Sequence, residues 1–402
     1  MAAFEKSNRD VRTRTAQEFN QMLCLRRRDD LIEFSGADPF DGLNSRIFAK
    51  LPLSSMPVVR LAWLQLFKKS PLDLRALAQV PPSTNPVTLA LAARTYLLSG
   101  EDEKMRRTVE RLILLRSDPE RWGNGAWGYP FAWQAKAFYV PRGVPNVIAT
   151  AYAVRAVADC SPSTDESDRM IADAAAFVEA ELICRSAGGA PYIGYVPKSD
   201  TMVHNANLWG AYVLALAADR GDRMWRSLAD AAIDYTLRAQ MPDGSWPYGE
   251  SSHHRWTDGF HTGYVLEALQ LCRGLLQRDD LAEPIARGMD YYLRTFLRND
   301  GVVPYYANGS GPLDVNNFAQ MVVTLQCVRS TPDWAASADR VLAAAIRELW
   351  RPETDAFAYQ RRGWRINRIS YPRWTQIWMM YALGLRLAHR TASEPRSSLA
   401  QS

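Results

Sequence analysis

The sequence predicts an all-α (α/α)6 toroid, six inner helices ringed by six outer ones, and three observations predict it. Helices apolar on nearly every side alternate with helices carrying one apolar stripe. The alternation recurs at roughly 55–60 residues, a spacing that suits a helix pair with its connections. Short turns rich in aromatics, Pro and Gly lie before the later apolar helices, which gathers polar and aromatic side chains at one end of the ring. A helix apolar all round must be covered all round, whereas a one-striped helix lies outside. An open solenoid of helix pairs uses a shorter repeat.

The elements follow in chain order. Residues 1–50 are polar, with the run Arg26-Arg27-Arg28-Asp29-Asp30, and read as an arm. The stretch from Ser55 to Arg75 supplies the first outer helix; its apolar face, with Lys68 and Lys69 beside it, also suits a membrane surface. Inner helices begin near Asn85, Asn146, His204, His261, Asn316 and Arg373. Between them run amphipathic segments; in that from Asp165 to Leu182, Ile171, Ala174, Ala175, Val178 and Leu182 share a stripe that Asp168, Asp173 and Glu179 avoid. Residues 51–391 form one toroid and residues 392–402 a disordered tail.

Composition narrows the function. A net charge of +5, spread along the chain without a long basic run, argues against a nucleic-acid partner. No apolar run reaches the ~18–20 residues of a membrane span, and MAAFEKSNRDVRTR lacks the apolar core of a signal peptide. The expected location is the cytoplasm, in solution or peripheral to the inner membrane. Cys24, Cys160, Cys184, Cys272 and Cys327 are isolated and read as reduced thiols. There is no P-loop, no GxGxxG and no H-x-x-x-H, so neither cofactor nor metal is expected.

The segment Gln240-Met-Pro-Asp-Gly-Ser-Trp246 resembles the QW turn of squalene and terpenoid cyclases. Its job is local: Asp243-Gly244 makes the turn and Trp246 packs on helix ends. No DxDD acid is present, and the letters DDxxE at Asp29 and Asp279 fall in the arm and at an outer-helix start. The turn marks the fold and not the reaction.

Residues at the turns and inner-helix starts should line a cavity. As substrate-binding candidates they are Trp127, Tyr129, Trp133, Asn146, Asn205, Trp209, Trp246, Tyr248, Trp256, Asn316, Asn317, Arg365, Arg368, Arg373 and Trp374. Aromatic faces stack on sugar C–H faces and amides bond hydroxyls, while Arg reads carboxylates. Asn before a helix also serves as an N-cap, and aromatics at turns also serve as packing. Proton abstraction beside a uronate carboxylate needs Arg to neutralise that group and a His or Tyr base. His204, His261, Tyr264, Tyr359 and Tyr371 are the acid/base candidates. Hydrolysis needs paired carboxyls, for which Glu250 and Asp258 are candidates, with Asp314 and Asp200 also available.

The block DAFAYQRRGWRINRISYPRWTQIWMMYALGLRL resembles the C-terminal domain of D-glucuronyl C5-epimerases, as does IGYVPKSDTMVHNANLWGAYVLAL. The β-rich N-terminal portion of those enzymes has no counterpart here. From about Leu51, including LAWLQLFKKSPLDLRALAQVP and WGYPFAWQAKAFYVPRGVPNVIATAYA, the chain is similar to bacterial toroid proteins of exopolysaccharide and cell-surface glycan clusters. The resemblances imply an enzyme acting on an anionic oligo- or polysaccharide by C5 epimerisation or elimination, near membrane-associated polysaccharide synthesis machinery. A glycoside hydrolase and a non-catalytic glycan-binding component are the alternatives.

Overall fold

The computed structural model describes residues 34–123, 125–134 and 139–393. Twelve helices of eight residues or more carry the fold: α1 (Pro57–Lys69), α2 (Pro86–Leu98), α3 (Asp102–Leu114), α4 (Val147–Cys160), α5 (Asp165–Phe177), α6 (His204–Asp219), α7 (Arg226–Arg238), α8 (Gly259–Leu276), α9 (Ala282–Phe296), α10 (Val315–Val328), α11 (Trp334–Leu349) and α12 (Ile377–Ser393). The even-numbered helices are the apolar ones. Each packs on the next, and α12 returns to α2, so they close a ring. Helices α3, α5, α7, α9 and α11 pack outside it. This is an (α/α)6 toroid with five outer helices among the described residues.

Burial follows the pattern read from sequence. In α6 every residue from His204 to Ala217 is buried, because an inner helix has neighbours on all sides. In α9 one stripe is buried, including Ile285, Met289, Tyr292 and Phe296. Fully burying a large apolar side chain contributes roughly 1.5–3 kcal/mol, so this inner ring is the main source of stability.

Helix α1 differs from the expected first outer helix. It lies against Asp41–Asn44 and the short strand Trp133–Gln134 and not on the ring wall. Its buried residues are Leu64 and Phe67, and Trp63 Nε1 donates to the Gly42 carbonyl at 2.9 Å. Just past its end the Ser70 carbonyl accepts from Asn367 Nδ2 at 3.0 Å, which sets α1 across the end of the ring where the inner helices begin.

The segment before it is packed as well. Ser35–Gly36 pairs antiparallel with Ser83–Thr84. Asp41 accepts from Arg75 Nε at 3.0 Å and from Arg373 Nη2 at 2.7 Å. Burial and neighbouring Asp38 push the Asp41 carboxyl up to about 7 against the pull of both guanidiniums. The rest of the expected arm, residues 1–33 with the Arg26–Asp30 run, lies outside the described residues, as do 394–402 of the tail. Cys160, Cys184, Cys272 and Cys327 are free thiols; Cys24 lies outside the described residues.

Candidate functional site

The N-termini of the inner helices meet at one end, and the aromatic turns hold them there by backbone bonds. The first amide of α4, from Val147, donates to the Tyr195 carbonyl at 3.0 Å; His204 of α6 donates to Tyr248 at 3.0 Å, Gly259 of α8 to Tyr305 at 2.9 Å, and Val315 of α10 to Tyr359 at 3.3 Å. Each bond satisfies one of the donors a helix start leaves open. A tyrosine of one repeat thus pins the preceding inner helix through its backbone carbonyl. Side-chain caps do the rest: Asn85, Asn146, Asp258 and Asp314 cap α2, α4, α8 and α10.

Two of these caps are carboxylates, on neighbouring inner helices. Asp258 is 1% exposed; its Oδ1 accepts the His261 N–H at 2.8 Å, and its Oδ2 lies 2.8 Å from His261 Nδ1. Both oxygens are therefore engaged with one residue. The His261 ring is half-buried among Phe260, Tyr248, Trp256 and Tyr264, at centroid distances of 4.0, 4.5, 5.6 and 6.1 Å. Asp314, 3% exposed, accepts from the Asn316 N–H at 2.9 Å and from Gln360 Nε2 at 2.6 Å. Burial outweighs these bonds and raises its carboxyl to about 6, with the Asp258 charge adding to the rise.

Lys68 reaches this pair from α1. Its ammonium lies 5.1 Å from the centroid of the Phe40 ring. Burial lowers its pKa, while the Asp314 and Asp258 charges pull the other way. Phe40 meets Trp374 edge-on at 4.8 Å, and Asn316 turns its amide nitrogen to the Trp374 carbonyl and its oxygen to the Trp374 indole N–H, at 2.9 and 3.1 Å. Tyr248 stacks on Trp256 at 4.4 Å, and Trp256 meets Tyr306 at 6.1 Å. Tyr129 and Tyr195 join through their hydroxyls at 2.9 Å, with Trp133 5.4 Å from Tyr195. Among the candidates, Tyr129, Trp133, Tyr248, Trp256, Asp258, His261, Tyr264, Asn316 and Trp374 belong to this mouth.

Most of the other candidates are engaged in packing or capping. His204 turns to the outer helix α7, its Nδ1 3.2 Å from Thr236 Oγ1; burial pulls its pKa down to about 4, so it is a neutral packing histidine. Trp127 donates to the Leu112 carbonyl at 2.9 Å and Trp246 to the Thr236 carbonyl at 3.0 Å, both fully inside the protein. Trp209 packs on Tyr152 at 4.9 Å, Asn146 is a helix cap, and Asn317 donates to the Pro304 carbonyl at 3.1 Å. Asn205 is buried, its Oδ1 unbonded. Glu250 is exposed and bonds Tyr235 of α7 at 3.1 Å, away from Asp258.

The arginine block divides. Arg373 is wholly buried and committed to Asp38 at 3.2 Å and Asp41 at 2.7 Å, so it holds the fold and has no free face for a substrate carboxylate. Arg365 and Arg368 are exposed; Arg365 sits in the hairpin of Gln360–Arg362 and Arg365–Asn367, whose first strand pairs with Leu313–Asp314. Tyr359 and Tyr371 are buried with ring centroids 5.4 Å apart. Burial drives the hydroxyls of Tyr264, Tyr359 and Tyr371 well upward, which disqualifies them as resting bases and leaves them proton donors.

Lys68 is not among the candidates from the sequence, and Asp314 is one only as a carboxyl for hydrolysis. Asp314 had a legible signal, since it repeats the capping position of Asp258 one inner helix later. Lys68 had none, because its place depends on α1 crossing the mouth. Deeper in the ring, Glu267 bonds Arg155 Nη1 at 2.6 Å and Gln320 Nε2 at 3.0 Å. Beyond it a cavity of about 770 Å³ lies at the opposite end, lined by Arg94, Gln326, Arg329 and His389 among others. None of the aromatic mouth residues borders it. Among the described residues no cluster suited to a metal occurs.

No protein-family model and no curated protein sequence matches the chain. Solved structures do. The unsaturated glucuronyl hydrolase of Bacillus sp. GL1, responsible for degradation of glycosaminoglycan, superposes with a TM-score of 0.55 at 17% identity, covering 76% of this chain and 86% of that one. The cellobiose 2-epimerase of Bacillus thermoamylovorans gives 0.57 at 10%, covering 78% and 90%. A sugar epimerase from a ruminal bacterium gives 0.58 at 11%, with the same coverage. The chain shares their fold. At these identities the likeness speaks for architecture, and function must come from the site.

Proposed function

We propose that the protein is a carbohydrate-active enzyme that moves protons on a glycan held in the mouth, with His261 as base, Asp258 as its orienting partner and Asp314 as acid. The observation that carries this reading is the 2.8 Å Asp258–His261 contact inside an aromatic basket, next to a buried carboxyl raised to about 6. An ionised carboxylate on Nδ1 fixes the hydrogen there and leaves the Nε2 lone pair for substrate. Tyr248, Trp256, Tyr306 and Trp374 offer faces for sugar rings.

The substrate class that fits is an anionic glycan containing uronic acid. Lys68 feels the charges of Asp314 and Asp258, and Arg362, Arg365 and Arg368 are exposed on or just after the hairpin whose first strand pairs with Leu313–Asp314. In the favoured reaction His261 Nε2 takes the C5 proton while a cation stabilises the charge that develops on the carboxylate. Asp314 then delivers a proton, to C5 from the other face for epimerisation or to the leaving oxygen for elimination. That the similar folds include a glucuronyl hydrolase and sugar epimerases agrees with a glycan substrate.

Hydrolysis is the second reading. Asp258 and Asp314 cap adjacent inner helices, and packed helix axes lie about 8–10 Å apart, within reach of the roughly 5–9.5 Å separation glycosidases use. Against it, both Asp258 oxygens are engaged by His261. Incubating a panel of uronosyl polymers with the enzyme in deuterium oxide separates the readings. Deuterium at C5 or a new unsaturated end supports proton abstraction; new reducing ends without deuterium support hydrolysis. Tight binding with neither supports a glycan-binding component.

A further inference from the structure

From Gly42 to Leu72 the chain runs 31 residues without one acidic side chain while carrying Arg46, Lys50, Arg60, Lys68 and Lys69. This region and the few residues after it are also rich in exposed apolar side chains. Of fourteen large hydrophobic residues exposed among the described residues, eight fall between positions 47 and 77: Ile47, Leu51, Leu53, Met56, Val58, Leu66, Leu72 and Leu77. Isolated exposed leucines need no explanation, but such a concentration marks an interaction face.

Helix α1 orders this surface. Trp63, Leu64 and Phe67 face the protein, with Trp63 and Phe67 meeting at 5.3 Å and Trp63 stacking on Phe48 at 5.0 Å. On the other side Val58, Ala62 and Leu66 succeed one another four residues apart, which is one face of a helix, and Lys69 follows at its end; all four are exposed. Arg46 and Lys50 are exposed too, and neither they nor Lys69 pairs with a carboxylate among the described residues. No helix of the described residues is long and apolar enough to cross a membrane.

We propose that this face, residues 46–72, docks the protein on an anionic lipid bilayer, with the exposed leucines and valine at the boundary between headgroups and acyl chains and Arg46, Lys50 and Lys69 against lipid phosphates. Charge decides the occupant: a stretch that is basic, free of acids and studded with apolar side chains complements an anionic interface. A protein partner or a second copy would have to supply an apolar surface edged with acids. Because α1 also covers part of the mouth, docking holds the site within about a helix diameter, ~10 Å, of the headgroups. The inference stands apart from the reaction assigned to the mouth, since its lipid contacts are Arg46, Lys50, Lys69 and the exposed apolar side chains, and Lys68 is left to the mouth.

The test uses the full chain and vesicle flotation with phosphatidylcholine alone or with about 30% phosphatidylglycerol. Binding to the anionic vesicles that weakens with salt is expected. Val58→Ser with Leu66→Ser should lower the partition coefficient by roughly tenfold or more, and Lys50→Glu with Lys69→Glu should abolish the preference for anionic lipid. Circular dichroism and, where turnover has been found, rates on a soluble substrate should be unchanged in the four surface substitutions. No flotation of the wild-type chain at low salt, or flotation indifferent to both double variants, overturns the proposal. So does a solution dimer that the same variants dissociate, because the face would then be covered by a second copy.

Discussion

A carboxylate bonded to imidazole Nδ1 leaves Nε2 as the free acceptor, and environment sets the partner acid. His261→Gln should lower kcat by roughly 10²–10⁴-fold, the usual worth of a general base. Asp258→Asn should lower it too, by favouring the wrong tautomer, with little change in KM. Asp314→Asn tests acidity and stability together. Its folded carboxyl lies at about 6 against an ordinary 3.8, so the folded state binds the proton more tightly than the unfolded one. Stability is therefore lost as pH rises from about 4 to about 6, by up to roughly 3 kcal/mol for a shift of about two units. Asp314→Asn should remove the alkaline fall in kcat/KM near pH 6, depress turnover, and melt higher than the wild type at pH 8. An unchanged profile with unchanged turnover would remove Asp314 from the mechanism.

At the scale of elements, the turn around Gly244 shows how a motif can be loud and purely architectural. Gly244 has φ +91°, and a Cβ there would lie 2.4 Å from the Arg287 carbonyl oxygen. Gln240 Nε2 bonds the carbonyls of Gly244 and Pro284 at 3.1 and 2.9 Å, and Asp243 accepts from Ser245. The turn thus rivets α7 to α9. Gly244→Ala should cost about 2–4 kcal/mol through strain and clash combined, visible as a lowered melting temperature, with kcat per folded molecule preserved. The tyrosine hooks act at the same scale. They explain why each repeat needs an aromatic turn even where, as at Tyr359, the ring is buried and faces no substrate.

For the whole molecule the seam lies between α12 and α2, where the ring closes. Arg373, at the approach to α12, joins Asp38, Asp41 and Ser83, tying the first described segment to the last inner helix. Removing one member of a buried ion cluster leaves the others uncompensated, typically at a cost of about 3–5 kcal/mol. Arg373→Ala should destabilise the protein by that order in urea unfolding, and limited proteolysis should cut first between residues 34 and 56. If Arg373 instead served the substrate, the variant would keep its stability and lose KM.

Sequence alone determined the ring: all-round apolar helices have to be inside and one-striped helices outside, whatever the details. It also determined which residues stand at inner-helix starts, because cap and turn chemistry is local, and so Asp258, His261, Tyr248 and Trp256 were legible as mouth residues. Tertiary structure decided which way side chains turn. His204 is the first residue of α6 and His261 the third of α8, so two positions of helix register turn one to the outer helix α7 and the other to the aromatic mouth. It likewise decided that α1 crosses the opening, which put Lys68 beside Asp314 and Asp258, and that Arg373 is spent on a buried pair more than three hundred residues distant in sequence. Periodicity reports which face of a helix is buried; only the packed ring reports what that face meets.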